Sequence, residues 1–149
     1  IAYGTGWATA RCAALATLDD EDRGRVPRLF AVAGSPGAHY DTYFQQNLAA
    51  LGVPVRRIVR EEQDPWLLNA RELAPDADYV VSGEPTDVVV NEVELSTGTP
   101  PRFLLVGPAD EVVEGAERLV QRGVGKQQID VLSWGRDGRW QPEDYAALA

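Results

Sequence analysis

One cysteine, Cys12, and one histidine, His39, are the only residues of their kinds in 149. A lone cysteine excludes an intramolecular disulfide, an iron–sulfur cluster and a Cys-rich zinc site. The acidic runs Asp19-Asp20-Glu21-Asp22 and Glu61-Glu62 have no histidine or cysteine beside them, which makes them poor transition-metal ligands, and no metal is expected. No apolar run approaches the roughly 20 residues that a transmembrane helix needs. The opening Ile1-Ala2-Tyr3-Gly4 has neither the basic nor the apolar region of a signal peptide, which places the chain in the cytoplasm. Positive charge is scarce: 14 Lys and Arg stand against 23 Asp and Glu, for a net charge of −9. With no basic stripe interleaved with aromatics, such a chain repels a phosphate backbone, and nucleic acid is not expected as a partner. A small anion is not excluded, because backbone N–H groups at a helix start supply a positive field within one turn.

What is present is an ordinary globular composition, 44% hydrophobic and 25% charged, in a length that suits one domain spanning residues 1–149. Ile1 to Tyr3 reads as the end of a strand and runs into Gly4-Thr5-Gly6, after which Ala8, Cys12, Leu15 and Leu18 recur at helical spacing. A first strand this short suggests a fragment of a longer protein. Arg28 to Ala33 is a continuous apolar strand, closed by Gly34-Ser35-Pro36-Gly37. A helix with Tyr40, Phe44, Leu48 and Leu51 on one face follows, ended by Gly52 at C′, and Val53 to Val59 is the next strand. Asp64 to Leu73 reads as a short helix and Asp78 to Ser82 as a fourth strand. Glu84 to Leu95 is ambiguous, since its Val88-Val89-Val90 run favours strand and its position favours helix. Phe103 to Val106 is another strand, stopped by a Gly107-Pro108 turn. The helix after it presents Val112, Ala116, Leu119 and Val120 to the core and ends at Gly123. Ile129 to Leu132 supplies the last strand, before a tail with Trp134, Trp140 and a short helix from Pro142 to Leu148. This alternation predicts a doubly wound, mostly parallel sheet of five or six strands with helices on both faces.

Gly4-Thr5-Gly6, at a strand-to-helix junction, lets the backbone approach a pyrophosphate while free N–H groups and the Thr5 hydroxyl donate to it. The third glycine of the dinucleotide fingerprint falls at Thr9, so the turn equally suits a tight connection with no ligand. Gly107-Pro108 follows a strand in the same way and lies at the same carboxyl edge, either as part of a ligand crevice or only as the stop of a strand. His39, after the second strand, is at that edge too, within reach of a ligand or simply solvated. Cys12, inside an Ala-rich helix, reads as a small core residue rather than a nucleophile. No catalytic residue is assigned.

Taken together, these motifs resemble, in order and spacing, the nicotinamide-nucleotide-binding domain of the ferredoxin–NADP reductase-like flavoenzymes. The resemblance runs from Gly4-Thr5-Gly6 through the helix of Asp41, Tyr43, Phe44 and Leu48 to Phe103–Pro108 and to Gly123-Val124 before Ile129. It implies that Gly4, Thr5 and Gly6 hold the pyrophosphate, that Gly107 and Pro108 lie beside the nicotinamide, and that the loop with Gly34, Ser35 and His39 faces the adenosine ribose. It also implies an oxidoreductase in electron transport, in which NAD(P)H passes hydride to FAD or FMN on a flavin-binding domain of the same or a partner chain. No run of short strands for that domain precedes Ile1. The chain departs from the family at Val106, where a Cys is usual before Gly-Pro, and at Thr9, where a Pro is usual. The family's 2′-phosphate-binding Arg is absent from residues 34–37, which favours NADH over NADPH. Trp134 and Trp140 are candidates for the aromatic that stacks on flavin.

Two other classes compete. A non-catalytic interaction domain would keep the sheet and lose the ligand. A class I amidotransferase-like or Ser-peptidase-like enzyme, suggested by Ala31 to Gly52 and by Ser82-Gly83-Glu84, lacks a Gly-x-Ser-x-Gly elbow and has only His39 as a base.

Overall fold

A computed structural model describes residues 1–19, 26–33, 47–60, 77–93 and 100–134 of the chain. Six strands form one sheet: β1 (Ala2–Tyr3), β2 (Leu29–Ala33), β3 (Val55–Arg60), β4 (Tyr79–Val81), β5 (Phe103–Pro108) and β6 (Ile129–Trp134). Their spatial order is β4-β3-β2-β1-β5-β6, and every pairing is parallel. Three helices are described in full: α1 (Trp7–Asp19), α2 (Pro85–Glu92) and α3 (Ala109–Gln121). None of the described helices is long and apolar enough to cross a membrane.

The doubly wound architecture follows from the handedness of the crossovers. From β1 the chain steps to β2 and β3 in one direction, and from β5 it steps to β6 in the other. Right-handed connections then place the two sets of helices on opposite faces. The buried side chains divide accordingly. On one face Tyr3, Phe30, Val32, Ile58, Leu105 and Val131 pack with Val89 of α2 and with Val112, Ala116 and Leu119 of α3. On the other, Ala2, Leu29 and Val106 pack with Ala10 and Ala14 of α1 and with Leu48, in the helical residues 47–50. All five residues of β2 are buried, as a central strand covered on both sides requires.

α1 turns a different stripe to the sheet from the one its apolar residues suggest. Ala10 and Ala14 are buried, Leu15 and Leu18 are half-buried, and Ala8 and Cys12 are exposed. The reason lies just before the helix. A Cβ added at Gly6 would stand 2.6 Å from the Val106 carbonyl carbon and 3.1 Å from the Gly107 nitrogen. The i, i+4, i+8 row of Gly6, Ala10 and Ala14 is therefore the one small enough to lie on the sheet, which rotates Cys12 to the surface. Cys12 is exposed rather than a core residue.

The ambiguous segment after β4 is helix. Glu84 caps it by accepting from the Thr86 amide at 3.2 Å, and Pro85 takes the first helical position. These start signals outweigh the β preference of three successive valines. Gly107 and Pro108 do not stop β5 as expected, since both still pair in the sheet, with Ser133 and Trp134. The helix before β3 ends as predicted: Gly52 has φ +84, and the amides of Gly52 and Val53 return to Ala49 and Leu48 at 3.0 and 2.9 Å. α3 closes in the same way at Gly123. Leu51 and Val120, expected in the core, are exposed. Each lies in one of these closing turns or just before it, where the helix leaves the sheet. The predicted helix of residues 64–73, most of the helix with Tyr40 and Phe44, and the tail with Trp140 lie outside the described residues.

Candidate functional site

The reversal of direction falls between β1 and β5, which are neighbours in the sheet, with Ala2 paired to Val106. At such a switch point the connections leave the two strands toward opposite faces and open a crevice at their carboxyl ends. The two turns singled out in the sequence meet there. Gly4, Thr5 and Gly6 form a 3-10 turn that runs without a break into α1. Pro108 ends β5 and precedes α3 directly.

The three glycines of these turns do not all do the same thing. Gly6 lies against the β5 backbone, as described above. Gly107 lies against β1, where a Cβ would come within 2.7 Å of the Tyr3 Cβ and 2.9 Å of its carbonyl oxygen. Both glycines are required by the close approach of two strands' ends. Gly4 is different: it is exposed, it holds φ +51, and a Cβ there would meet nothing within 4 Å among the described residues. Of the two glycines of the turn, it is Gly4 that is not held by close packing. Gly34, Ser35 and His39 lie outside the described residues, although β2, from which their loop departs, ends beside β1 with Val32 paired to Tyr3.

The helices that start at this edge differ in charge. α2 has Asp87 in its first turn and α3 has Asp110 and Glu111, each compensating the positive end of its own helix. α1 has no acidic residue in its first turn. Neither it nor the 3-10 turn that leads into it carries an acidic side chain in its first turn, so no residue of its own there compensates the positive end of the helix.

The opposite side of the crevice, under α2 and α3, carries a group of polar residues that sequence reading missed. Tyr3 is fully buried, and its hydroxyl shares a hydrogen bond of 3.1 Å with Thr86 Oγ1. The Thr86 hydroxyl donates in turn to Glu84 Oε1 at 2.8 Å. Burial pushes the Tyr3 phenol well above its ordinary range, so it stays protonated. Arg60, the last residue of β3, reaches Glu111 in the first turn of α3 at 3.7 Å, across the ends of β2 and β1. Burial raises the Glu111 carboxyl and the Arg60 charge opposes that shift in part. One guanidinium nitrogen, Arg60 Nη2, is buried with no hydrogen-bond partner among the described residues. Apart from Glu84 and Thr86, which share the start of α2, these residues come from different strand ends and helix starts, separated in sequence by 24 residues or more, so no local motif could reveal the group.

α2 and α3 are fixed to each other by Arg118, whose Nε and Nη2 donate to the two carboxylate oxygens of Asp87 at 2.8 and 2.7 Å. Arg122 adds a bond to Asn91 at 2.9 Å. Cys12 stands in the second turn of α1, away from any strand end, where no elbow geometry presents it as a nucleophile. No group of three His, Cys, Asp or Glu side chains able to hold a metal ion occurs among the described residues. Comparison with protein-family models, with curated proteins and with solved structures gives no match to this chain.

Proposed function

We propose that the chain is the NAD(P)H-binding domain of a flavin-dependent oxidoreductase, with the dinucleotide's pyrophosphate over the first turn of α1. The observation that carries this is the start of α1 itself. It lies at the switch point, it lacks an acidic residue of its own, and Gly4 just before it is exposed, with no described residue within 4 Å of where a Cβ would stand. A pyrophosphate seated there accepts from the backbone amides of the first turn and is favoured by the helix dipole. Gly107 and Pro108, at the end of the neighbouring strand, would border the nicotinamide, and the loop of Gly34, Ser35 and His39 the adenosine ribose. The absence of an Arg from residues 34–37 favours NADH. The chemistry supplied by the bound cofactor is hydride transfer to FAD or FMN on a separate domain. The chain's own residues contribute binding and orientation.

A second reading, a domain that keeps this fold for protein interaction, is favoured by Gly6 and Gly107. Packing alone accounts for both, so they would be retained without a ligand. Calorimetric titration with NADH, NADPH and ADP-ribose separates the two. Gly6 is unsuitable as a probe because any side chain there collides with β5. Gly4→Asp and Gly4→Asn are the better pair, since both side chains tolerate a positive φ and only one is charged. Saturable binding that survives in Gly4→Asn and is weakened at least tenfold in Gly4→Asp supports the pyrophosphate site. No binding of any of the three nucleotides by the folded wild-type chain leaves the interaction domain.

A further inference from the structure

Arg60 and Glu111 face each other across the switch point with hydrogen-bonding capacity unspent. Their 3.7 Å contact is longer than a hydrogen bond. Arg60 Nη2 is a buried donor without an acceptor among the described residues, a state that costs free energy wherever it persists. Glu111 is an acceptor taken partly out of water by the same packing, with each side chain only 28% exposed. Glu84, the other carboxylate nearby, accepts at Oε1 from both the amide and the hydroxyl of Thr86. A donor and an acceptor left side by side call for a ligand group that offers the complement side by side: a carbonyl oxygen for the guanidinium and an N–H for the carboxylate. A primary carboxamide is such a group. A phosphate or carboxylate would satisfy Arg60 and be repelled by Glu111, and an ammonium would do the reverse.

We propose that Arg60 and Glu111 form a carboxamide-recognising subsite at the carboxyl edge, in which Arg60 donates to the amide oxygen and Glu111 accepts from the amide nitrogen. It rests on the dinucleotide site at α1, and the carboxamide it takes is that of the nicotinamide. The subsite lies on the α2–α3 side of the crevice and the first turn of α1 on the other, so one extended ligand passing over the ends of β1 and β5 reaches both. The two side chains part to admit the amide, exchanging a loose charge contact for two charge-assisted hydrogen bonds.

Three ligands test this by calorimetry on the full chain: NADH, reduced 3-acetylpyridine adenine dinucleotide, whose acetyl group keeps the carbonyl and lacks the N–H, and ADP-ribose, which lacks the ring altogether. The variants are Arg60→Met, Glu111→Met and the double variant, which leaves no charge stranded, each verified as folded by its thermal melt. In the wild type NADH should bind about tenfold more tightly than the acetyl analogue, the worth of one charge-assisted hydrogen bond. Glu111→Met should abolish that difference, Arg60→Met should weaken both dinucleotides, and none of the variants should change ADP-ribose binding. If wild-type ADP-ribose binds but NADH and its analogue bind equally, or if the variants weaken ADP-ribose as much as NADH, the subsite is wrong and the pyrophosphate site stands. If wild-type ADP-ribose does not bind at all, both fall.

Discussion

Gly115 in α3 leaves room for the side chain of Tyr3: a Cβ at that position would collide with the phenol hydroxyl and come within 2.9 Å of Cζ. The close approach lets α3 settle on β1 while the Tyr3 hydroxyl keeps its bond to Thr86 in α2. One buried phenol thus touches the strand at the switch point and both helices of one face.

The first prediction comes from that contact. A glycine inside a helix normally gains about 1 kcal/mol of stability when replaced by alanine. Gly115→Ala should instead destabilise this chain by about 1–3 kcal/mol, the usual cost of overpacking. Tyr3→Phe should cost about 1 kcal/mol through the lost hydrogen bond. Because the phenylalanine removes the hydroxyl that collides, the two changes together should cost less than their sum. Urea denaturation of the four proteins of the cycle measures this coupling, and strict additivity would disprove the contact.

Gly6→Ala should lower stability by about 3 kcal/mol, the upper end for overpacking, because the obstacle is the β5 backbone and cannot swing aside. For a chain of this size that corresponds to a fall in Tm of roughly 6–12 °C. Gly4→Asn, in open space at positive φ, should lie within about 1 kcal/mol of the wild type. Equal effects of the two substitutions in thermal melts would contradict the division of roles between the glycines.

Acid stability should depend on Asp87. Hydrogen bonds from Arg118 hold its carboxyl below the ordinary value. A depressed folded-state pKa contributes stability that is present above the unfolded value of about 3.9 and is lost as pH falls through the folded one. Asp87→Asn should cost about 0.5–1 kcal/mol at pH 7, as expected for a half-exposed bidentate pair. The difference from the wild type should shrink as pH falls below the unfolded value and vanish once the folded-state carboxyl is itself protonated.

Glu111 has the opposite sign. Burial raises its carboxyl pKa, so the folded state holds the proton more tightly than the unfolded chain does. Its favourable contribution is complete below the unfolded value of about 4.3 and disappears as pH rises through the folded value. Glu111→Gln should therefore melt at a higher temperature than the wild type at pH 7.5 and at the same temperature at pH 4. A lower melting temperature at pH 7.5 would mean that the attraction of Arg60 outweighs desolvation.

The fold class was legible in the sequence because its signals are local. The glycines that follow β1, β2 and β4 in the sequence and the 3.6-residue spacing of Val112, Ala116 and Leu119 depend on chain stiffness and hydrophobicity over a few residues. Handed crossovers then leave little freedom in how such units assemble. The candidate ligand turn was legible for the same reason: Gly4-Thr5-Gly6 is a contiguous strand-to-helix junction. Three matters were decided only when distant segments met. The face that α1 turns to the sheet depends on the contact of Gly6 with a carbonyl a hundred residues away, and that contact reverses the expectation for Cys12. The separate roles of Gly4, Gly6 and Gly107 depend on which of their α-carbons faces backbone and which faces open space. The group of Tyr3, Arg60, Glu84, Thr86 and Glu111 exists because a parallel sheet brings all its strand ends to one edge, whatever their separation along the chain. Sequence spacing reports neighbours within a helix or strand, whereas side chains from different strands become neighbours only through the order of the sheet.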